Sequence, residues 1–252
     1  MQTKGNTILI TGGGTGIGLA LAEVFLREGS EVIICGRRQS RLEEAKKKLP
    51  RLQIHRCDVA GAAGRKALFE WAVSSFPQLN VLINNAGIQR EIDFKRGPAA
   101  YPTDESEIET NLEAPIHLCA LFIPHLMKKK EAALVNVSSG LAYVPMASTP
   151  VYCATKAGLH SFCISLRHQL RGTPIKVFEI LPPWTDTELG GAPEESEEHG
   201  YRGAPAAGVA EEAVAAFGKD VLEIAVGDAK NLREGAVRAF EKTFRGMNER
   251  DA

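Results

Sequence analysis

Thr7-Ile8-Leu9-Ile10-Thr11-Gly12-Gly13-Gly14-Thr15-Gly16-Ile17-Gly18-Leu19-Ala20-Leu21 is the stretch on which the fold turns. Thr7 to Ile10 is a short apolar run suited to a buried strand, and a glycine cluster follows it. Beyond the cluster, Ile17, Ala20, Leu21, Val24 and Phe25 recur at i, i+3, i+4, i+7 and i+8, the apolar stripe of a helix. Gly29 supplies its C-terminal stop. Strand, glycine turn and helix in this order make a phosphate-binding unit. Gly12 permits the tight turn, Gly16 lets backbone amides approach a pyrophosphate, and Gly18 allows close helix–strand packing. The partial positive charge at the helix N-terminus favours the anion. Gly14, Thr15 and Ile17 complete the expected contacts of the turn.

Outward from the turn, strand and helix signals keep alternating. Residues 31–35 read as a second buried strand closed by Gly36, and 39–48 as a charged helix ending before Pro50. A weaker third strand spans 53–57, a helix over 64–75 stops before Pro77, and 81–83 is a fourth strand. A long helix over 104–129 contains Pro115 and Pro124 and is expected to be kinked or segmented. Strands at 133–137 and 175–180 flank a helix over 151–170, and 222–226 reads as the seventh strand. Continuous apolar strands between amphipathic helices predict an α/β fold. The expectation is a single-domain doubly wound parallel sheet, Rossmann-like, of about seven strands with helices on both faces.

One composition break interrupts this pattern, from Glu188 through Gly208, rich in Gly, Glu, Pro and Ala. It reads either as a solvated loop or as a substrate lid, because it follows a strand's C-terminal end. Residues 230–252 read as a solvated final helix whose apolar stripe includes Val237, Phe240 and Phe244, a stripe that could equally dock on a partner subunit.

Composition narrows the function classes. The 252 residues carry 30 Lys plus Arg against 31 Asp plus Glu, a formal net charge of −1, which excludes a strongly basic nucleic-acid binder. A hydrophobic fraction of 44% with 24% charged residues is that of an ordinary soluble domain, expected to span 1–252 as one unit. No apolar run reaches the roughly 18 residues a spanning helix needs. No signal-peptide core opens the chain, so a cytoplasmic location is expected. The five cysteines are odd in number and form no CxxC pair, so neither disulfides nor a metal site are expected. His117/His125 and His160/His168, each eight residues apart, read as helix-surface histidines.

The end of the second strand bears on the nucleotide. A site for NAD places Asp or Glu there to bond the ribose 2′-hydroxyl. This chain has Cys35-Gly36-Arg37-Arg38 instead, and guanidinium groups suit a 2′-phosphate, so NADP is preferred over NAD.

Four signatures now stand in order: the TGxxxGxG turn, Asn84-Asn85-Ala86-Gly87, Ser139 thirteen residues before Tyr152, and Tyr152-Cys153-Ala154-Thr155-Lys156 as YxxxK. Together with Asn111 in the long helix, they resemble the classical short-chain dehydrogenase/reductase family across essentially the whole chain. Residues 31–37, 87–94 and 150–156 resemble its DltE-type branch. A phenol titrates near 10, and an ammonium one helical turn away is expected to lower that value. The resemblance therefore implies Tyr152 as general acid/base, with Lys156 also holding the nicotinamide ribose. It implies Ser139 rather than Ser138 for orienting the substrate oxygen, and Asn111 for a water in a proton relay.

Cofactor contacts carried over by the same resemblance are Asp58 with Val59 at the adenine, and Asn84 with Asn85, Ala86 and Gly87 beside the adenosine ribose. Pro182, Thr185 and Thr187 follow in the loop after the sixth strand. That loop departs from the family's Pro-Gly by having Pro182-Pro183, which removes an N–H and fixes φ. The substrate pocket is expected to be lined by 88–96, 140–150, Trp184 and 188–208, with Leu141, Tyr143, Val144, Pro145 and Met146 as an apolar wall. The implied partner is a small-molecule carbonyl or alcohol, without nucleic acid or membrane. Pairing through helices 104–129 and 151–170 implies a homodimer or homotetramer. The same residues also serve epimerases or lyases with a tightly held cofactor. A non-catalytic cofactor-sensing protein would be signalled by loss of Tyr152 or Lys156, and both are present.

Overall fold

A computed structural model describes residues 1–101, 106–189 and 203–249. Its main sheet holds β1 (Thr7–Thr11), β2 (Glu31–Gly36), β3 (Gln53–Arg56), β4 (Val81–Asn84), β5 (Ala132–Val137), β6 (Ile175–Leu181) and β9 (Glu223–Ala225). The order is β3-β2-β1-β4-β5-β6-β9, and every pairing is parallel. Chain order reverses between β1 and β4, and ligands of open α/β sheets bind above the strand ends at such a point.

Every residue of β1, β4 and β5 is buried, as strands covered on both faces require. Side chains alternate across the sheet. Ile8 and Ile10 enter one core with Leu21, Phe25, Leu42 and Phe217, while Leu9 enters the other with Leu68, Leu118 and Phe122. The first core lies under α1 (Gly16–Arg27), α2 (Gln39–Lys48) and α6 (Ala206–Gly218), where Phe25 meets Phe217 edge-on at 5.7 Å. The second lies under α3 (Ala62–Ser75), α4 (Ala114–Leu126) and α5 (Pro150–Gln169).

The expected break in the long helix falls in one place. A π turn at Glu109–Glu113 leads directly into α4. Pro115 stands in the first turn of α4, and without an N–H it cannot donate to the Asn111 carbonyl four residues back. Pro124 lies inside α4 without ending it. The turn is tied to α3 by Arg65, whose guanidinium is 1% exposed and reaches Glu113 (2.6 Å), His117 (2.9 Å) and the carbonyls of Val59 (2.9 Å) and Ala60 (2.7 Å).

Two expectations change. The final helix is a hairpin, α7 (Ala229–Arg238) and α8 (Phe240–Asn248), broken at Ala239 (φ −159°, ψ 53°). Gly235 allows the fold-back, since a Cβ there would stand 2.5 Å from the Thr243 hydroxyl. The stripe is divided accordingly: Val237 is 84% exposed, whereas Phe240 stacks on Phe244 at 5.9 Å. Of the break at 188–208, residues 190–202 lie outside the described residues, and with them most of the lid expectation. Its end is regular structure: β8 (Ala204–Pro205), paired with β7 (Thr185–Asp186), leads into α6. Among the described residues, no helix is long and apolar enough to cross a membrane.

Candidate active site

The glycine turn is built by close approach of backbones. Gly12 has φ +64°, and a Cβ there would stand 2.8 Å from the Ala86 Cα. Asn85 Nδ2 donates to the carbonyls of Thr11 (3.0 Å) and Gly12 (3.1 Å), while Thr11 Oγ1 accepts from the amides of Asn85 (3.0 Å) and Ala86 (3.1 Å). Gly18 packs against the turn itself: a Cβ would meet Asn85 Nδ2 at 2.4 Å and the Gly12 carbonyl at 2.5 Å. The α1 N-terminus therefore opens directly into a cleft of about 490 Å³.

That cleft gathers most residues the sequence singled out. Gly12, Gly14, Thr15, Gly16 and Ile17 line one end, with Arg37, Arg38, Asp58 and Val59 beside them. Asn85, Ala86, Gly87, Tyr152, Lys156, Pro182 and Thr187 line the rest, while Thr185, Asn111 and Ser139 do not reach its wall. Asn84 is a correction. It is 2% exposed, and its amide donates to Asn136 Oδ1 (2.9 Å), because its position in β4 points it into the core. Despite Pro183, the loop after β6 lays Thr187 over the turn, with its methyl 3.0 Å from where a Gly16 Cβ would stand.

At the arginine end the sequence reading missed Arg41, and it placed Glu188 in the candidate lid without its partners. Glu188 bridges Arg38 Nη2 (2.8 Å) and Arg41 Nη2 (2.6 Å). Arg41 sits one helical turn after Arg37 and Arg38, a spacing that could have flagged it. A cradle that a Cβ would fill and an edge of guanidinium groups fit a phosphate-bearing dinucleotide.

At the other end, α5 presents Tyr152 and Lys156 one turn apart, both 4% exposed. Lys156 Nζ donates to the Val137 carbonyl (2.9 Å) and lies 5.5 Å from the Tyr152 ring centroid. Ser139 lies near enough to the Tyr152 hydroxyl to favour its ionised form, and its Oγ accepts from the Leu141 amide (3.1 Å). Ser138 lines the cleft, while its hydroxyl donates to the buried Glu179 Oε1 (2.5 Å). The Asn111 amide is fully spent, accepting from the Ile88 amide (2.9 Å) and donating to the Ile88 carbonyl (2.8 Å) and Thr155 Oγ1 (3.3 Å). What Asn111 can offer a water is its backbone carbonyl.

Burial pushes the Tyr152 phenol well above its ordinary value, and the nearby Ser139 hydroxyl pulls it part of the way back. The expected lowering by Lys156 is not met. That ammonium is itself buried, which brings it down to about 8 against the opposing pull of Glu179 and Cys163.

The residues expected to form an apolar wall stand outside this cleft. Among the described residues, none of 140–150 lines the cleft. Val144 is fully buried, and the Tyr143 hydroxyl is committed to Glu223 (2.5 Å). His160 is not a surface histidine either, since its Nδ1 lies 2.8 Å from the buried Glu179 carboxylate. Sequence spacing could not find that partner, which comes from β6. From 88–96, Ile88, Gln89 and Arg90 do line the cleft.

Known proteins share both sequence and shape with this chain. The short chain dehydrogenase family model matches residues 6–198. DltE of Bacillus subtilis (strain 168), described as an uncharacterized oxidoreductase, is 48% identical over all of both chains. The NADP-dependent 3-hydroxy acid dehydrogenase YdfG of Escherichia coli (strain K12) is 30% identical over 69% of this chain and 71% of that one. Among solved structures, a Burkholderia cenocepacia J2315 short chain dehydrogenase in complex with NADP superposes with TM-score 0.82 at 24% identity, covering 98% of this chain and 99% of the other. One from Burkholderia phymatum in complex with NAD gives 0.83 at 20% identity, covering 100% and 99%.

Proposed function

The chain belongs to the short-chain dehydrogenase family, and from that premise we propose that it is an NADP-dependent reductase of a small carbonyl compound, with Tyr152 as the acid that protonates the substrate oxygen. One observation carries this reading. One cleft is lined by the glycine turn and by the buried pair Tyr152 and Lys156, with the Lys156 ammonium 5.5 Å from the phenol ring and burial holding that phenol above its ordinary value. A protonated phenol there favours carbonyl reduction over alcohol oxidation.

When bound, the nicotinamide supplies the hydride. The glycine turn and the α1 N-terminus hold the pyrophosphate, Asp58 and Val59 the adenine, and Asn85 to Gly87 the adenosine ribose. Arg37, Arg38 and Arg41 would hold the 2′-phosphate, which would take the place of Glu188 on Arg38 and Arg41. Lys156 holds the nicotinamide ribose, and Pro182 and Thr187 cover the same end. Ser139 orients the carbonyl oxygen toward the Tyr152 hydroxyl, which gives up its proton as negative charge develops there. Lys156 stabilises the resulting phenolate, and the Asn111 carbonyl holds a water from which the proton is restored. The NADP named for the Escherichia coli relative supports this choice of nucleotide.

The protein is read as a homo-oligomer, since Ile116 on α4 (36% exposed) and Ile164 on α5 (49% exposed) leave apolar surface on the two helices expected to pair. Sedimentation equilibrium tests that part, and a monomer across micromolar concentrations would refute it.

The test of activity is NADPH oxidation followed at 340 nm over a panel of aldehydes, ketones and oxo acids. Turnover lost in Tyr152→Phe with NADPH binding retained is expected. Turnover with NADH but none with NADPH overturns the nucleotide choice. Retained turnover in Tyr152→Phe overturns the acid. NADPH retained through purification, with no net consumption over the panel, would favour an epimerase or lyase.

A further inference from the structure

The carboxylate of Glu179 is fully buried, and nothing in the proposed reaction uses it. It projects from β6 beside Asn136 of β5, its register partner, toward the face of α5 that carries Lys156, His160 and Cys163. Those three stand at i, i+4 and i+7, one stripe on the helix. Glu179 Oε2 bonds the middle member, His160 Nδ1, at 2.8 Å, and Oε1 accepts from Ser138 at 2.5 Å. Lys156 lies one turn toward the cleft, anchored to the carbonyl of Val137, the residue before Ser138.

We propose that Glu179 is a positioning residue for the acid–base pair: bonded to His160 and set one helical turn of α5 from Lys156, it is the buried counter-charge that keeps the Lys156 ammonium charged where burial would otherwise neutralise it. The assignment rests on the hydride-transfer reading above and names the group behind it. An ammonium out of water loses its proton unless an anion stands near. Among the described residues two carboxyl groups are buried, Glu179 (0% exposed) and Glu107 (3%); Glu107 accepts from the Arg90 amide (3.2 Å) and acts on Tyr152, which leaves Glu179 as the buried anion on the Lys156 side.

Other charged groups around this pair are accounted for. On α5 these are Lys156, His160, Cys163 and Arg167; the loop after β5 adds Tyr143, β9 adds Glu223, and α7 adds Arg233. Burial raises the Cys163 thiol, which stays neutral. Glu223 is engaged by Tyr143 (2.5 Å) and Arg233 (2.8 Å). His160, Glu179 and Glu223 have ligand atoms within 4.8 Å of one another, yet Arg233 already supplies a cation there, so the cluster carries protons and not a metal ion.

The test titrates Lys156 itself. Protein with 15N,13C-labelled lysine is followed by NMR from pH 6 to 11, and the Lys156 resonance is assigned by its absence in Lys156→Met. In the parent it titrates at about 8. In Glu179→Gln the midpoint falls by about one pH unit, and the basic limb of kcat/KM for NADPH-dependent reduction falls with it. Glu179→Asp, which keeps the charge, restores both most of the way.

Coupling is reciprocal, so Lys156→Met leaves Glu179 wholly to His160 and raises the His160 midpoint read from its ring nitrogens. That arm does not depend on how Glu179→Gln folds. An unchanged Lys156 midpoint in Glu179→Gln, or an unchanged His160 midpoint in Lys156→Met, overturns the assignment. Neither titration needs a substrate, so a failed carbonyl panel counts against the hydride-transfer reading and leaves this one to be judged by its own numbers.

Discussion

The two adjacent serines offer the sharpest test, because the Ser138 hydroxyl is committed to the buried Glu179 while Ser139 is the one proposed to serve the substrate oxygen. Ser138→Ala removes the 2.5 Å donor from a carboxylate with no solvent to replace it. Hydrogen bonds to charged groups contribute about 1.5–3 kcal/mol. For a chain of this size each kcal/mol moves Tm by about 2–4 °C, so the melting point falls by roughly 3–12 °C. Glu179 keeps His160, and Tyr152 keeps Ser139, so kcat changes less than about tenfold. Ser139→Ala does the reverse. It removes the hydroxyl proposed to orient the substrate oxygen, and such a preorganised donor accounts for about 10²–10³ in kcat. It also loses the acceptor for the Leu141 amide, a cap of about 1 kcal/mol, or roughly 2–4 °C. NADPH consumption and thermal unfolding of both variants read the two axes separately. A hundredfold loss of kcat in Ser138→Ala with little loss in Ser139→Ala would refute the division of roles.

Three further outcomes are expected. Arg38→Ala and Arg41→Ala each weaken NADPH by about tenfold, measured by quenching of tryptophan fluorescence, and change NADH by less than about threefold. Equal losses for both nucleotides would place the 2′-phosphate elsewhere. Gly12→Ala forces a Cβ onto a residue at φ +64° and to 2.8 Å from the Ala86 Cα. The left-handed conformation costs about 1–2 kcal/mol, so Tm falls by at least roughly 2–8 °C, and the stabilisation by added NADPH disappears. A variant that NADPH still stabilises fully would show that the cradle is not where the cofactor lies. His160 is raised above its unfolded value by its hydrogen bond to Glu179. Its protonated form therefore stabilises the fold fully below about 6.5, and that contribution is lost as pH rises through the folded value. His160→Gln should be most destabilised relative to the parent near pH 5.5, with the gap in urea midpoint closing toward pH 9. A gap that grows with pH would refute the pairing.

Sequence determined the sheet because its signals are local. The strand–turn–helix of 7–27, the buried runs of β2, β4, β5 and β6, and the i, i+4 pair Tyr152/Lys156 each follow from chain geometry within a few residues. Pro115 marked the broken helix in the same way, since a missing N–H acts on its own turn. Tertiary structure decided what depends on residues distant in the chain. Only β6 lying beside β5 brings Glu179 to Ser138 and His160, which separates Ser138 from Ser139 and turns a supposed surface histidine inward. Burial, which no spacing encodes, raises the phenol that a nearby ammonium was expected to lower. The hairpin at Ala239 and the bridge from Glu188 to Arg38 and Arg41 were likewise invisible, because each needs two segments to meet. Periodicity reports how a segment relates to its own axis. Charge, desolvation and contact across strands exist only once the segments have packed.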